Sequence, residues 1–506
     1  MKKTRAPPLG NVLLVLASIV VTTVAAEMFV RVADDVPLFA LPLPEGGRDD
    51  VTAGHRDAVP LAAGVSRDWF FENLPPLPNR TKPSREWQDV FWRIRSNPAE
   101  FGPFQPSDIF KAWNSKFAGD PCRHPLLKHA PGFLYVYDPP DGRPSPPYRF
   151  LPDTTTPVGL VTNQIGWRGP PIEVPRQPRT VRVVFVGAST TVSGHHVPYS
   201  YPEFVGYWLN RWAQARGLDV RFEALNAGRE STTSIDIAAE MATEILPLRP
   251  DLVVYYEGAN QFEIHSLIEG LPADARPPER EPASDAPGWL RGVAAYSALA
   301  RRVLALVASD IGSDGGEWPK PDYRLVWPND LDEQDPDLDY PRLPASLNQI
   351  QRDLDIIRAD LAAVDGELAL SSFVWIVKDG MVVHPIRDRN FLEHVNIGSF
   401  PYRYRDIERL VAFENRVFRK YAATHGLQFI DVARYMPFDP NLFIDPIHDS
   451  AGGIRLRAWI VLQQLLPVIE QRLASGAWPR PLATPEPPLP TFTPRRIALE
   501  CGSATK

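Results

Sequence analysis

Cysteine is nearly absent. Cys122 and Cys501 are the only two in 506 residues. That excludes a disulfide-stapled scaffold and a Cys/His zinc site. One Cys122–Cys501 bridge in an oxidising compartment is the most the chain allows, and two free thiols remain an equal alternative. Positive charge is not in excess either. The net charge is −7 and no basic stripe stands out, which argues against a nucleic-acid partner. No internal repeat occurs at solenoid or propeller periods, which excludes those architectures. Proline, by contrast, is abundant: 55 residues, about twice the usual share of ~5%. Long irregular segments and rigid linkers follow from that.

One apolar run stands at the N-terminus. Lys2, Lys3 and Arg5 precede a stretch from Val12 to about Ala26 that continues through Met28, Phe29 and Val30. A basic n-region before an apolar segment reads as an export signal. Basic residues stay on the cytoplasmic side, so the bulk of the chain is expected outside, periplasmic if the source is bacterial. Cleavage after Ala25 or Ala26 is conceivable. The apolar character runs on to Val32, about 20 residues and near the length that spans a bilayer, which favours an uncleaved anchor. Glu27 and Arg31 near its outer end can pair or reach the interface.

Residues 1–33 are thus read as anchor or signal and 34–160 as a Pro-rich extension of unknown role. Trp69, Phe70, Phe71 and Val90, Phe91, Trp92 suggest some packed structure in it. The main domain spans 161–475, and 476–506 form a Pro-rich tail. Within the main domain, 181–186, 220–226, 251–257, 368–377 and 427–430 read as strands. Helices are expected at 201–216, at 346–364 with Leu347, Ile350, Leu354, Ile357, Leu361 and Val364 inward, at 406–424 and at 454–473. Another has Ile235, Ala238, Ala239, Ala242 and Ile245 as its inner face. Strand and helix in alternation imply parallel βαβ units. The alternation breaks at 271–344, an insertion after the third strand with a short helix expected at 289–306. Residues 327–341 hold six acidic side chains and no basic one. They fail an EF-hand test at Tyr340 and Ser346, so a solvated acidic loop is expected rather than a calcium site. The insertion leaves from near Asn260 and is placed to form a lid or substrate wall.

Four short motifs carry the chemistry. Ser189 follows the first strand in Val186-Gly187-Ala188-Ser189. Gly228 follows the second in Asn226-Ala227-Gly228. Asn260 follows the third in Gly258-Ala259-Asn260. Asp445 and His448 share one late loop, Asp445-Pro446-Ile447-His448. A serine hydroxyl needs an adjacent base to act as nucleophile. His448 can take its proton, and Asp445 can orient and stabilise the imidazole. The backbone N–H of Ser189, the backbone N–H of Gly228 and the side-chain amide of Asn260 are candidate oxyanion donors, each worth roughly 3 kcal/mol where tested elsewhere. In open α/β sheets ligands bind beyond the carboxyl ends of the strands, and these motifs fall there.

On these motifs the chain resembles the SGNH (GDSL-like) hydrolase family, over roughly residues 163–473. Ser189, Gly228, Asn260 and His448 match the four residues of the family's name. Ala188 stands where the family often has Asp or Gly. Asn163-Gln164-Ile165-Gly166-Trp167-Arg168-Gly169 resembles a lead-in of membrane-anchored members. The resemblance implies a three-layer α/β/α sandwich with a five-stranded parallel sheet, flavodoxin-like in layout. It further implies acyl transfer through an acyl-serine, with a Ser189–His448–Asp445 triad and no metal or organic cofactor. An extracytoplasmic esterase is expected, acting on a small-molecule, glycan or lipid acyl ester. An O-acetyltransferase for an exported glycan would use the same residues, and a non-catalytic glycan-binding or scaffold protein is the rival outside enzymology. His195 and His196 have no paired carboxylate nearby and are read as bland. His384, His394, Arg387 and Arg389 could receive an acidic substrate group. Asn163 and Arg168 are read as braces of the lead-in loop.

Overall fold

The computed structural model describes residues 9–33, 51–78, 133–137, 149–150, 161–193, 199–277, 297–307, 315–383, 388–481 and 494–498, with scattered positions between them. Cys122, Cys501, His195, His196, His384, Arg387 and the 90–92 aromatics lie outside the described residues, as does the side chain of Arg389.

Five parallel strands build the central sheet: β1 (Thr180–Gly187), β2 (Arg221–Asn226), β3 (Leu252–Tyr256), β4 (Glu367–Ser371) and β5 (Gln428–Ile430), in the order β2-β1-β3-β4-β5. β1 is buried along its whole length, as expected of a strand covered on both faces. The chain runs from β1 to one neighbour, β2, and then to the other, β3. The order therefore reverses at β1, and such a reversal opens a crevice at the carboxyl end of the strands.

Helices cover both faces. A short turn, α2 (Ser189–Val192), leaves β1, and α3 (Tyr201–Ala215) and α4 (Ser234–Glu240) follow β1 and β2. α5 (Ala298–Val307) lies in the insertion. α6 (Leu347–Ala362), α7 (Tyr404–Thr424) and α8 (Ala451–Ala474) complete the set. On one face Val184, Val186, Val253 and Tyr255 meet Ile237 and Met241 of the α4 region, Ile350, Leu354 and Ile357 of α6, and Phe413 and Val417 of α7. Alternate strand residues point the other way, so Phe185 meets Tyr201 edge-to-face on α3. The α/β sandwich expected from the sequence is the observed one.

Residues 51–74 belong to this core rather than to a separate extension. Phe70 is fully buried, stacked on Trp208 of α3 and edge-on to Trp459 of α8. Trp208 donates its indole N–H to the Trp69 carbonyl at 3.0 Å and Trp212 donates to Ala63 at 3.0 Å. Arg455 of α8 donates to the carbonyls of Phe70 and Glu72.

Two local readings are corrected. The fourth strand ends at Ser371 instead of running to 377. Beyond it the backbone is satisfied by side chains: Phe373 N–H donates to Asn415 Oδ1 at 2.7 Å and Val374 N–H to the Tyr256 hydroxyl at 3.3 Å. The helix after β2 continues past Glu240 as a π-turn, Met241–Ile245. Its buried apolar side is Ile237, Ala238, Met241 and Ile245, while Ile235 is 48% exposed and Ala242 is exposed. The cause is polar. Glu240 and Glu244 turn inward to pair with Arg229, and Glu244 also accepts from Arg149 and from the Trp167 indole.

The chain divides into two compact units. The sheet and its helices form the larger, made of Arg48–Leu271, Asp322–Lys378 and Arg405–Lys506. Its acidic loop is solvated: Asp337 and Asp339 are exposed and Asp335 pairs with Lys420. The smaller combines Met1–Gly47, Pro272–Pro321 and Asp379–Tyr404. It holds α1 (Leu9–Ala33), whose segment Leu13–Ala33 has a mean hydropathy of 2.3 and is long and apolar enough to cross a membrane. Glu27 of α1 pairs with Arg31 at 2.7 Å and accepts from the Ser297 hydroxyl and the Ala298 and Leu299 N–H groups at the start of α5. Among the described residues the insertion holds α5, which overlaps the 289–306 expected; 289–292 and 294–296 lie outside the described residues.

Candidate active site

The end of β1 turns sharply. Ala188 is extended, Ser189 opens the α2 turn, and Ser193 closes it in the left-handed region at φ 50°. Ser189 is thereby held at the crevice, 8% exposed. Arg168 secures the turn from behind. It is buried, pairs with Glu203 at 3.1 Å, and donates to the carbonyls of Val192 and Ser193. Asn163 accepts from the N–H groups of Ile165 and Trp167 and so shapes the loop that delivers Arg168. Both residues brace, as their sequence setting suggests.

The loop after β5 brings in the other two groups. Asp445 Oδ1 accepts from the N–H groups of Ile447 and His448, which folds the four residues into a tight turn. The loop is fastened to the segment that follows β4 by Ile376 N–H, which donates to the Pro446 carbonyl at 2.8 Å. His448 Nδ1 lies 2.5 Å from Asp445 Oδ2, and His448 Nε2 lies 2.7 Å from Ser189 Oγ. Burial alone would raise the Asp445 carboxyl. The charge of His448, its hydrogen bond and the backbone N–H groups of Ile447 and His448 outweigh that and hold it well below the usual carboxylate range. Asp445 is therefore an anion facing the imidazole. This line of atoms suits proton removal from a hydroxyl by an oriented imidazole.

Gly228 packs directly on the serine turn. A β-carbon there would come 2.6 Å from Val192 N and 2.9 Å from Thr191 Cβ, so only glycine fits. Its N–H donates to Asn226 Oδ1 at 3.0 Å, while Asn226 Nδ2 donates to the Thr191 carbonyl. Asn226, which the sequence reading treated only as part of a motif, thus ties the second loop to the first. Asn260 Nδ2 donates to the Thr232 carbonyl at 2.7 Å, which uses one of its two amide hydrogens. Its backbone N–H donates to Glu257 Oε1 at 2.7 Å. Glu257 was likewise passed over in the sequence; its position, last before Gly258-Ala259-Asn260, was the available signal. Among the described residues no group of three or more His, Cys, Asp or Glu side chains is arranged to hold a metal ion. His394 is exposed and belongs to the smaller unit.

No family model matches the chain, and no curated protein matches it. Solved structures similar to it include an acetyl xylan esterase from Geobacillus stearothermophilus, at 14% identity and a TM-score of 0.31 over 56% of this chain and 94% of that one. A lipase/acylhydrolase from Enterococcus faecalis aligns at 15% identity and a TM-score of 0.30 over 57% of this chain and 96% of that one. A GDSL-like lipase from Bacteroides thetaiotaomicron aligns at 12% identity and a TM-score of 0.26 over 57% and 88%.

Proposed function

We propose that this chain is a membrane-anchored serine esterase of the SGNH type, with Ser189 as nucleophile, His448 as general base and Asp445 as the orienting carboxylate. The observation that carries the proposal is the continuous hydrogen-bonded line from Ser189 Oγ through both ring nitrogens of His448 to Asp445. In the reaction Ser189 Oγ attacks an ester carbonyl while its proton passes to His448 Nε2. The Nδ1–H of the imidazolium donates to Asp445. The tetrahedral intermediate collapses as His448 returns the proton to the leaving alcohol. Water, deprotonated by His448, then releases the acyl group from Ser189.

The oxyanion is met by the N–H of Ser189, the N–H of Gly228 and the amide of Asn260. Asn260 has a second amide hydrogen available beside the one given to Thr232. The Gly228 N–H, which donates to Asn226 Oδ1 at 3.0 Å, is the third donor of this reading. Lys2, Lys3 and Arg5 ahead of α1 keep that end cytoplasmic, so the site faces outside and acts on acyl esters there.

The test is labelling of the full chain in detergent with a fluorophosphonate, beside Ser189→Ala and His448→Ala. Labelling of the parent that disappears in the serine variant and is strongly reduced in the histidine variant is expected. A folded parent that takes no label would overturn the assignment.

A further inference from the structure

We infer that Glu257 is a positioning residue for Asn260, and that Glu414, buried against the same loop, stays a neutral acid behind it. The consequence for reactivity rests on the esterase assignment above.

Glu257 follows β3 directly and is 1% exposed. Its Oε1 accepts from the Ala259 N–H at 3.1 Å and the Asn260 N–H at 2.7 Å. One carboxylate oxygen thus gathers the backbone of the loop that presents the Asn260 amide. The Thr232 carbonyl fixes the other end of the same residue. Backbone and side chain of Asn260 are each held by one strong acceptor. Such pre-set geometry is what an oxyanion donor needs, because its worth lies in not having to reorganise.

Glu414 reaches the same loop from α7. It is fully buried, and among the described residues neither of its oxygens, nor Glu257 Oε2, has a hydrogen-bond partner. Glu414 Oε1 lies 2.6 Å from where a β-carbon on residue 258 would sit, so its carboxyl rests directly against this loop. Two ionised carboxylates without a cation cannot share so dry a place, since the penalty is several kcal/mol per ion. Burial pushes the Glu257 carboxyl up to about 7 against the pull of the Asn260, Ala259 and Gly258 N–H groups. Burial and the charge of Glu257 raise Glu414 well above the usual range. Of the two, Glu257, which accepts backbone N–H bonds, gives up its proton first. Glu414, with no donor facing it, is the natural acid. Neither group takes part in the steps at Ser189, so their place is behind the loop, not in the chemistry.

The test measures the second-order rate of fluorophosphonate labelling of Ser189 in the full chain, which needs no knowledge of the substrate. Four proteins form a cycle: parent, Glu257→Gln, Asn260→Ala and the double variant, each checked for an unchanged unfolding midpoint. Glu257→Gln is expected to slow labelling roughly tenfold in the parent and less than about twofold once Asn260 is alanine, because the two act as one unit. Glu414→Gln keeps a neutral donor and is expected to label at the parent rate. Equal slowing by Glu257→Gln in both backgrounds, or a Glu414→Gln loss as large as that of Asn260→Ala, would overturn the inference while leaving the esterase assignment intact. An unlabelled parent removes both. If Glu257→Gln does not fold, Glu257→Asp, which withdraws the carboxylate by one methylene, enters the same cycle.

Discussion

Arg457 holds Asp449, the residue next to His448, in a fully buried ion pair with Nε 2.5 Å from Oδ2 and Nη2 donating to Oδ1 at 2.7 Å. The guanidinium also lies over the Tyr256 ring, 4.4 Å from its centroid. One side chain of α8 thereby connects the loop of Asp445 and His448 to the end of β3. Burial raises the Asp449 carboxyl, opposed by the charge and hydrogen bond of Arg457, while Asp449 and Tyr256 hold the guanidinium firmly protonated.

Arg457→Met should therefore be severe. It leaves the Asp449 carboxylate buried without its partner, and breaking a buried pair from one side typically costs ~3–5 kcal/mol. Chemical unfolding should show that loss. Adding Asp449→Asn to Arg457→Met should recover most of it, because the stranded charge is gone. A single variant within about 0.5 kcal/mol of the parent, the range of a bland surface change, would mean that the pair does not hold the loop.

Asp445→Asn separates orientation from nucleophilicity. Asparagine fills the same space, and Ile447 and His448 can still donate to its oxygen, so the loop should persist. Its amide presents a donor to His448 in one orientation and no charge in either. The imidazole then loses the tautomer in which Nε2 can accept from Ser189. On the proposed assignment, a fall of about 10⁴-fold in turnover of an activated ester is expected, as for the equivalent change in known Ser–His–Asp triads. Because His448 and the backbone hold the Asp445 carboxyl so low, acid limbs of the pH–rate profile above about pH 4 belong to other groups.

The strand-end motifs were legible because each is local. Ser189, Gly228 and Asn260 follow runs of Val, Phe and Tyr that had to be buried strands, and the Asp445–His448 spacing fits within one turn. The face of α6 was legible for the same reason: Leu347, Ile350, Leu354, Ile357 and Leu361 repeat at helical spacing and are all buried. Misreadings arose where long-range partners decide. Phe373, Val374, Ile376 and Val377 look like strand residues and are buried, yet Asn415, Tyr256 and Pro446 take their backbone groups instead of a neighbouring strand. Ile235 was placed inward because no local pattern shows that Arg229 draws Glu240 and Glu244 into the core. The 51–74 stretch has no periodicity to read. Its contribution appears only when Phe70 meets Trp208 and Trp459.

Phe70→Ala tests that contribution. The ring is fully buried between an α3 and an α8 tryptophan. A loss of ~3–5 kcal/mol is expected in denaturant unfolding. Phe71, by contrast, is 48% exposed, and Phe71→Ala should cost far less. Similar costs for the two would show that residues 51–74 lie on the domain without sharing its core.

Stability should fall as pH rises through neutrality, opposite to a protein dominated by surface carboxylates. Burial raises the Glu257 carboxyl from 4.5 to about 7 and the Glu240 carboxyl from 4.5 to about 8, and it raises the Glu414 carboxyl well above the usual range. Between the unfolded and folded values the native state binds more protons than the unfolded chain, so the free energy of unfolding decreases with pH. These groups contribute fully below about pH 4.5, and the contribution is lost progressively toward pH 7 to 8. Asp445 acts with the reverse sign: its stabilisation is present above its unfolded value of 3.8 and disappears only in stronger acid. The unfolding midpoint should therefore be higher near pH 5.5 than near pH 8.5. Glu257→Gln and Glu414→Gln, which cannot ionise, should each flatten that slope. A midpoint that climbs between those pH values, or a slope unchanged in both variants, would show that the two carboxyls are ionised in the folded protein and that some cation reaches them.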